Sequence, residues 1–184
     1  MSTTHVYVAP GFEEVELITI VDVLRRAGID TTMVSLTETL DVTGAHNILV
    51  HADVPFSAVD GQLADMIVLP GGGPGTQALA ASTALHARLH AYREAGKRIA
   101  AVCAAPTVLA RTGLLEGVAA TCFPGCEPVL AEHGAVVQTY QVVTDGHITT
   151  SRAAGTSGLF ALELVKLLAG EAKATEVGRA MLYL

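Results

Sequence analysis

The stretch Arg98-Ile-Ala-Ala-Val-Cys-Ala-Ala-Pro-Thr-Val-Leu-Ala110 decides how the rest of the chain is read. Ile99 to Val102 is a short apolar run of the kind that forms a buried strand. Ala104 to Ala110 predicts a helix, with Pro106 in the first turn, where a missing N–H costs little. Cys103 falls at the joint. A residue there sits at a strand tip and faces the positive end of the following helix, so its thiol is expected to ionise more easily than that of a free cysteine. Ala100, Ala101, Ala104 and Ala105 are small enough to let the chain turn sharply and leave the sulfur accessible. The arrangement is that of a nucleophile elbow without the glycines of the hydrolase version. A free cysteine is also often no more than a small buried hydrophobe, and this stretch alone leaves both readings open.

Outside that stretch, composition narrows the class. A chain of 184 residues suits a single domain with a full core. Hydrophobic residues make up 51% and charged residues 16%, as expected for α/β folds whose parallel sheet is covered on both faces. A net charge of −7 with no basic cluster argues against nucleic-acid binding. No apolar run is long enough to span a bilayer. The N-terminus enters a strand at His5–Ala9 with no signal-peptide pattern. Three cysteines are an odd count that makes no disulfide framework, so a cytoplasmic, reducing setting is expected.

Strand-like and helix-like segments alternate as in a doubly wound sheet. Strands are predicted at 5–9, 31–36, 66–69, 99–102, 118–121, 136–137, 141–143 and 147–150, and helices at 13–27, 77–80, 84–95, 104–110, 127–132, 157–168 and 172–181. Two shorter strands, 40–43 and 47–51, form a small excursion around Gly44.

Glu16 is the second informative residue. Wound at 100° per residue, the first helix puts Leu17, Ile20, Val23, Leu24 and Ala27 on one arc, and Glu16 falls within it. An inward carboxylate is costly unless it finds a partner or a proton. Helices of an open parallel sheet begin at the carboxyl edge, where Cys103 also lies, so Glu16 could reach the sulfur. The alternative is a border glutamate whose tip reaches solvent. Glu13 also points inward, but the helix dipole explains an acid in the first turn.

Gly71-Gly72-Gly73-Pro74-Gly75 follows a strand and precedes a helix. Such a loop can aim N–H groups at an anion or be only a tight turn, and its spacing is neither a dinucleotide fingerprint nor a P-loop. His86 and His90 have a metal-capable spacing but no third ligand nearby, so no metal site is expected. His46 and His51 flank a short strand and could lie near a site; His5, His133 and His147 carry no signal. Cys122 and Cys126 read as structural or as secondary redox thiols.

Four motifs in order carry a resemblance. They are Val-Leu-Pro-Gly-Gly at 68–72, Val-Cys-Ala-Ala-Pro-Thr at 102–107, Thr-Cys-Phe-Pro-Gly at 121–125 and Thr-Ser-Arg-Ala-Ala-Gly-Thr at 150–156. With them the chain resembles, nearly end to end, the ThiJ/PfpI superfamily, and within it the branch of the Parkinson-disease protein deglycase and its bacterial ThiJ-type relatives. The resemblance implies a flavodoxin-like three-layer sandwich, with a central, mostly parallel sheet, and a homodimer. By position it makes Cys103 the reactive cysteine, Glu16 its partner acid, and the N–H groups of Gly72 and Ala104 the oxyanion site. It also places Asp22 and Arg26 near the dimer contact. Two departures stand out. Ala153-Ala154 replaces the frequent Gly-Pro, which predicts a looser loop, and Phe123 stands where the deglycase has a histidine. Ala104 stands where protease-like branches have a histidine directly after the cysteine.

The activity so implied is a glutathione-independent glyoxalase, or a deglycase, acting without cofactor on methylglyoxal, glyoxal or their early adducts. The competing class is a cysteine-based oxidative-stress sensor or chaperone with little turnover. A hydrolase or amidase would need an imidazole, from His46 or His51, beside the sulfur.

Overall fold

The computed structural model describes residues 1–184. The strands of the main sheet are β1 (Thr3–Val8), β2 (Asp30–Ser35), β5 (Met66–Leu69), β6 (Arg98–Val102), β9 (Val142–Asp145) and β10 (Ile148–Ser151). They lie in the order β2-β1-β5-β6-β10-β9, all parallel except β9, which pairs antiparallel with β10 at the edge. Hairpin strands β3 (Asp41–Thr43) and β4 (Leu49–His51) form the excursion around Gly44, and β7 (Ala119–Ala120) pairs with β8 (Val136–Val137) in a second small sheet. The helices are α1 (Glu14–Arg26), α2 (Gly73–Ala81), α3 (Thr83–Glu94), α4 (Pro106–Arg111), α5 (Glu127–Glu132), α6 (Ser157–Ala169) and α7 (Glu171–Ala180). None is long and apolar enough to cross a membrane.

Strand periodicity builds the three layers. Alternate residues point to opposite faces. Val6 and Val8, Met66 and Val68, and Ala100 and Val102 pack into one core with Leu17, Ile20 and Leu24 of α1, Phe160 and Leu164 of α6 and Val177 of α7. Their neighbours Tyr7, Ile67, Leu69, Ile99 and Ala101 pack into the other core with Leu79 of α2, Leu85, Leu89 and Tyr92 of α3, Val108 and Leu109 of α4 and Leu130 of α5. β5 is therefore apolar at every position, as the continuous run at 66–69 implies, and so is β6 from Ile99 to Val102.

The expected elements form, with three informative shifts. The helix after the glycines begins at Gly73, because Pro74 in the first turn starts it early. Only Gly71 and Gly72 remain as loop, and Gly72 holds φ at +94°. The helix after Cys103 begins at Pro106 rather than Ala104, since residues 103–105 form the turn. The loop after Arg152 is tied down: the Ala153 N–H donates to Thr156 Oγ1 (3.0 Å), and that hydroxyl pairs with Ser151 Oγ (2.7 Å). Threonine closes the turn that a Gly-Pro pair would otherwise preset, so the expected looseness is absent.

The sheet order reverses at β1, whose chain leaves first toward β2 and returns to β5 on the other side. Ligands of doubly wound sheets bind outside the carboxyl ends of strands at such a switch point. Glu16 follows β1, Gly71 and Gly72 follow β5, and Cys103 follows β6, on three adjacent strands at that edge.

Candidate active site

Cys103 turns the chain sharply. Its φ of +64° is in the left-handed region, uncommon for a residue with a Cβ. Two backbone bonds hold it there: its N–H donates to Ser151 O (3.0 Å), and its carbonyl accepts from Phe123 N–H (2.7 Å). Strain fixed by its surroundings is characteristic of functional turns. The side chain remains partly exposed.

Glu16 is fully buried, and its carboxyl reaches the elbow. The Gly71 N–H donates to its Oε2 (2.8 Å). The Cys103 sulfur lies beside the carboxyl and interacts with it. Oε1 is buried with no nitrogen or oxygen partner. The N–H groups of Gly72 and Ala104 point at the sulfur. All four residues singled out from the sequence therefore converge.

Electrostatics reverse one expectation. Burial pushes Glu16 up to about 7, opposed by the Gly71 N–H. Burial, then the charge of Glu16 and its hydrogen bond, push Cys103 up to about 12, and the N–H groups of Gly72 and Ala104 only partly offset this. The thiol is thus harder to ionise than a free cysteine. The helix-dipole reading fails because α4 is only six residues long and begins three residues beyond the sulfur, while a buried carboxyl lies alongside it. Both groups of the pair are thus held toward their neutral forms, a thiol beside a carboxyl whose proton is retained toward neutral pH.

Gly71 is the spacer that lets the two groups meet. A Cβ there would stand 2.6 Å from Cys103 Cβ and 2.8 Å from Glu16 Oε2. Gly71→Ala should therefore cost about 1–3 kcal/mol by overpacking. Thermal melts should show a clear fall in Tm; an unchanged Tm and an unchanged rate of Cys103 alkylation would mean that the spacer role is wrong.

Other residues are placed elsewhere. His46 Nδ1 bonds Glu14 Oε2 (2.8 Å), and His51 Nδ1 bonds Asp41 Oδ1 (2.7 Å). Neither imidazole is among the groups that act on the sulfur, so the hydrolase requirement is not met. Phe123 is half exposed at the loop bonded to the elbow. Cys122 is fully buried, and burial pushes its thiol up to about 12. His90 is exposed and His86 half-buried. Asp22 and Arg26 bond each other across one turn of α1 (2.9 Å). Glu14 was not singled out by the helical wheel, yet it is buried. Its cover is the β3–β4 hairpin rather than the sheet, and the only advance sign was the glycine at 44.

The family model described as DJ-1/PfpI matches residues 3–167. The chain belongs to the DJ-1/PfpI family. It is 39% identical over 177 residues to protein dj-1beta of Drosophila melanogaster, covering 96% of this chain and 95% of that one. The crystal structure of Drosophila DJ-1beta superposes with a TM-score of 0.96 at 38% identity, covering 99% and 98% of the two chains. An oxidized DJ-1 from Toxoplasma gondii superposes with a TM-score of 0.94 at 33% identity, covering 99% and 98%. A protein named deglycase from Pyrococcus abyssi is 31% identical over 160 residues, 87% of this chain and 95% of its own. The flavodoxin-like sandwich of the DJ-1 proteins is thus the fold of this chain as well.

Proposed function

We propose that this DJ-1/PfpI protein is a glutathione-independent glyoxalase with deglycase-type activity, acting on methylglyoxal, glyoxal or their early adducts through Cys103. The observation that carries the reading is the meeting of a buried carboxyl held up toward neutral pH, a thiol and two N–H groups aimed at the sulfur. The deglycase name of the Pyrococcus relative supports it.

The chemistry follows from those groups. Glu16 carboxylate takes the Cys103 proton as the sulfur bonds the aldehyde carbon, which avoids a free thiolate beside a charged acid. The oxygen of the resulting hemithioacetal lies toward the Gly72 and Ala104 N–H groups, and one such donor is worth about 3 kcal/mol in other enzymes. After giving its proton to that oxygen, Glu16 removes hydrogen from the former aldehyde carbon and returns it to the neighbouring carbon through an enediol. The first carbon is oxidised to a thioester and the second reduced to an alcohol, so no external oxidant is needed. Water then cleaves the thioester, releasing lactate and the thiol. Purified protein with no added thiol should convert methylglyoxal to lactate; no lactate above the uncatalysed rate would refute the reading.

A second reading rests on the same two side chains. A protonated Glu16 can donate to an oxidised sulfur, and the oxidized Toxoplasma relative is in keeping with it. Intact mass after mild peroxide separates the two: gain of two oxygens on Cys103 with negligible aldehyde turnover favours the sensor.

A homodimer is the expected assembly. Val15 and Ile18 of α1 and Ile48 and Leu49 of the hairpin are about half exposed, an apolar face that a second copy would cover. Light scattering should give twice the 19.0 kDa chain mass, and Ile18→Lys should lower it toward one chain. A wild-type mass of one chain would contradict the assembly.

A further inference from the structure

Glu13, Glu14 and His46 form a second cluster at the opening of α1, and none of the three acts on the sulfur. One ligand atom from each lies within 4.8 Å of the others. His46 Nδ1 is 2.8 Å from Glu14 Oε2 and 3.6 Å from Glu13 Oε2. Ligands about 2.0–2.1 Å from a tetrahedral ion stand about 3.3 Å from one another. The two observed separations bracket that spacing, and small side-chain movements would equalise them.

The cluster is built rather than incidental. The Glu14 side chain is only 7% exposed. Its Oε1 is anchored by the His46 N–H (2.6 Å), which leaves Oε2 free to face the imidazole. Gly44 supplies the cradle: its φ is ordinary, so no backbone demand explains a glycine, but a Cβ there would overlap the Glu14 carboxylate. The His46 side chain is 67% exposed in the single chain, so the remaining positions face outward, toward water or a second copy.

We infer that Glu13, Glu14 and His46 bind a divalent transition-metal ion of the zinc type. One imidazole nitrogen with two carboxylates selects this class over magnesium or calcium, which take all-oxygen shells. Two carboxylates against one imidazole also leave negative charge that a dication neutralises. The inference does not rest on the glyoxalase reading: none of the three residues is given a step in that chemistry, although the charge of Glu13 adds to the upward shift of Glu16.

Cobalt(II) is the probe. It should be titrated into the full-length, metal-free protein near neutral pH, with visible absorption recorded and zinc used as competitor. Wild type and Cys103→Ser should each bind one equivalent, displaced by zinc, without a sulfur-to-metal charge-transfer band. His46→Ala and Glu13→Gln should each bind at least tenfold more weakly, since losing a ligand costs no less than losing an outer-shell partner. Circular dichroism checks that each variant is folded; should His46→Ala not fold, Glu13→Gln, which keeps the Glu14–His46 pair, decides alone. Three results would overturn the assignment. They are no saturable binding by wild type, unchanged affinity in a folded ligand variant, and loss of binding in Cys103→Ser, which would put the ion on the thiol.

Discussion

Replacing Cys103 by alanine should lower methylglyoxal turnover at least about a thousandfold while leaving the fold intact. The sulfur is the only atom in the proposed scheme that bonds to substrate. Glu16 cannot do so, because its Oε2 is held by the Gly71 N–H and its carboxyl is needed for the proton. The variant leaves the backbone strain in place, since alanine also carries a Cβ at the φ of +64°. Its Tm should therefore stay close to that of wild type. Steady-state kinetics beside a thermal melt check both halves. Full activity in a folded Cys103→Ala protein would show that turnover arises elsewhere.

Glu16→Gln should divide activity from stability, losing the first and gaining the second. Losing the proton carrier should cost a hundredfold or more in kcat/KM. Stability should move the other way. The folded chain holds Glu16 at about 7 against an ordinary value of 4.5. A raised carboxyl value means that the folded state binds the proton more tightly than the unfolded state. Its stabilising effect is full below about pH 4.5 and is lost as pH rises toward 7. Each pH unit in that window is worth about 1.4 kcal/mol, so ionising Glu16 costs the folded state about 3 kcal/mol above pH 7. Glutamine never carries the charge and can still accept from Gly71. Its gain should be absent near pH 4, grow between 4.5 and 7, and level off above. Urea melts of both proteins across that range measure it directly. A constant difference at every pH would mean that Glu16 is not the strained acid.

Much of this arrangement is legible in the amino-acid sequence, and the reasons differ by residue. The buried strands at 66–69 and 99–102 declare themselves because both faces of a covered parallel strand must be apolar. Glu16 stands out because it breaks an apolar arc at helical spacing, and the structure buries it completely. Family resemblance, rather than periodicity, pointed to Gly72 and Ala104, since a backbone N–H leaves no trace in side-chain patterns. The thiol's resistance to ionisation was not legible. Local reading weighs the helix that follows Cys103, whereas its proton affinity is set by burial and by a carboxyl 87 residues earlier in the chain. The Glu14–His46 contact was hidden for a related reason: it joins residues 32 apart through a hairpin that lies outside the main sheet. Antiparallel β9 at the sheet edge follows from pairing with β10, which no single strand reveals.

The central claim is that one proton passes between the sulfur at the elbow and the acid of α1 during aldehyde turnover. Lactate formation from methylglyoxal, measured against pH for wild type and Glu16→Gln without added thiol, tests it most directly. Wild-type kcat/KM should rise with pH through a midpoint near 7, as Glu16 loses its proton and becomes able to accept one from Cys103, and Glu16→Gln should stay near background throughout. A Glu16→Gln protein that forms lactate at the wild-type rate, with the same pH profile, would contradict the account.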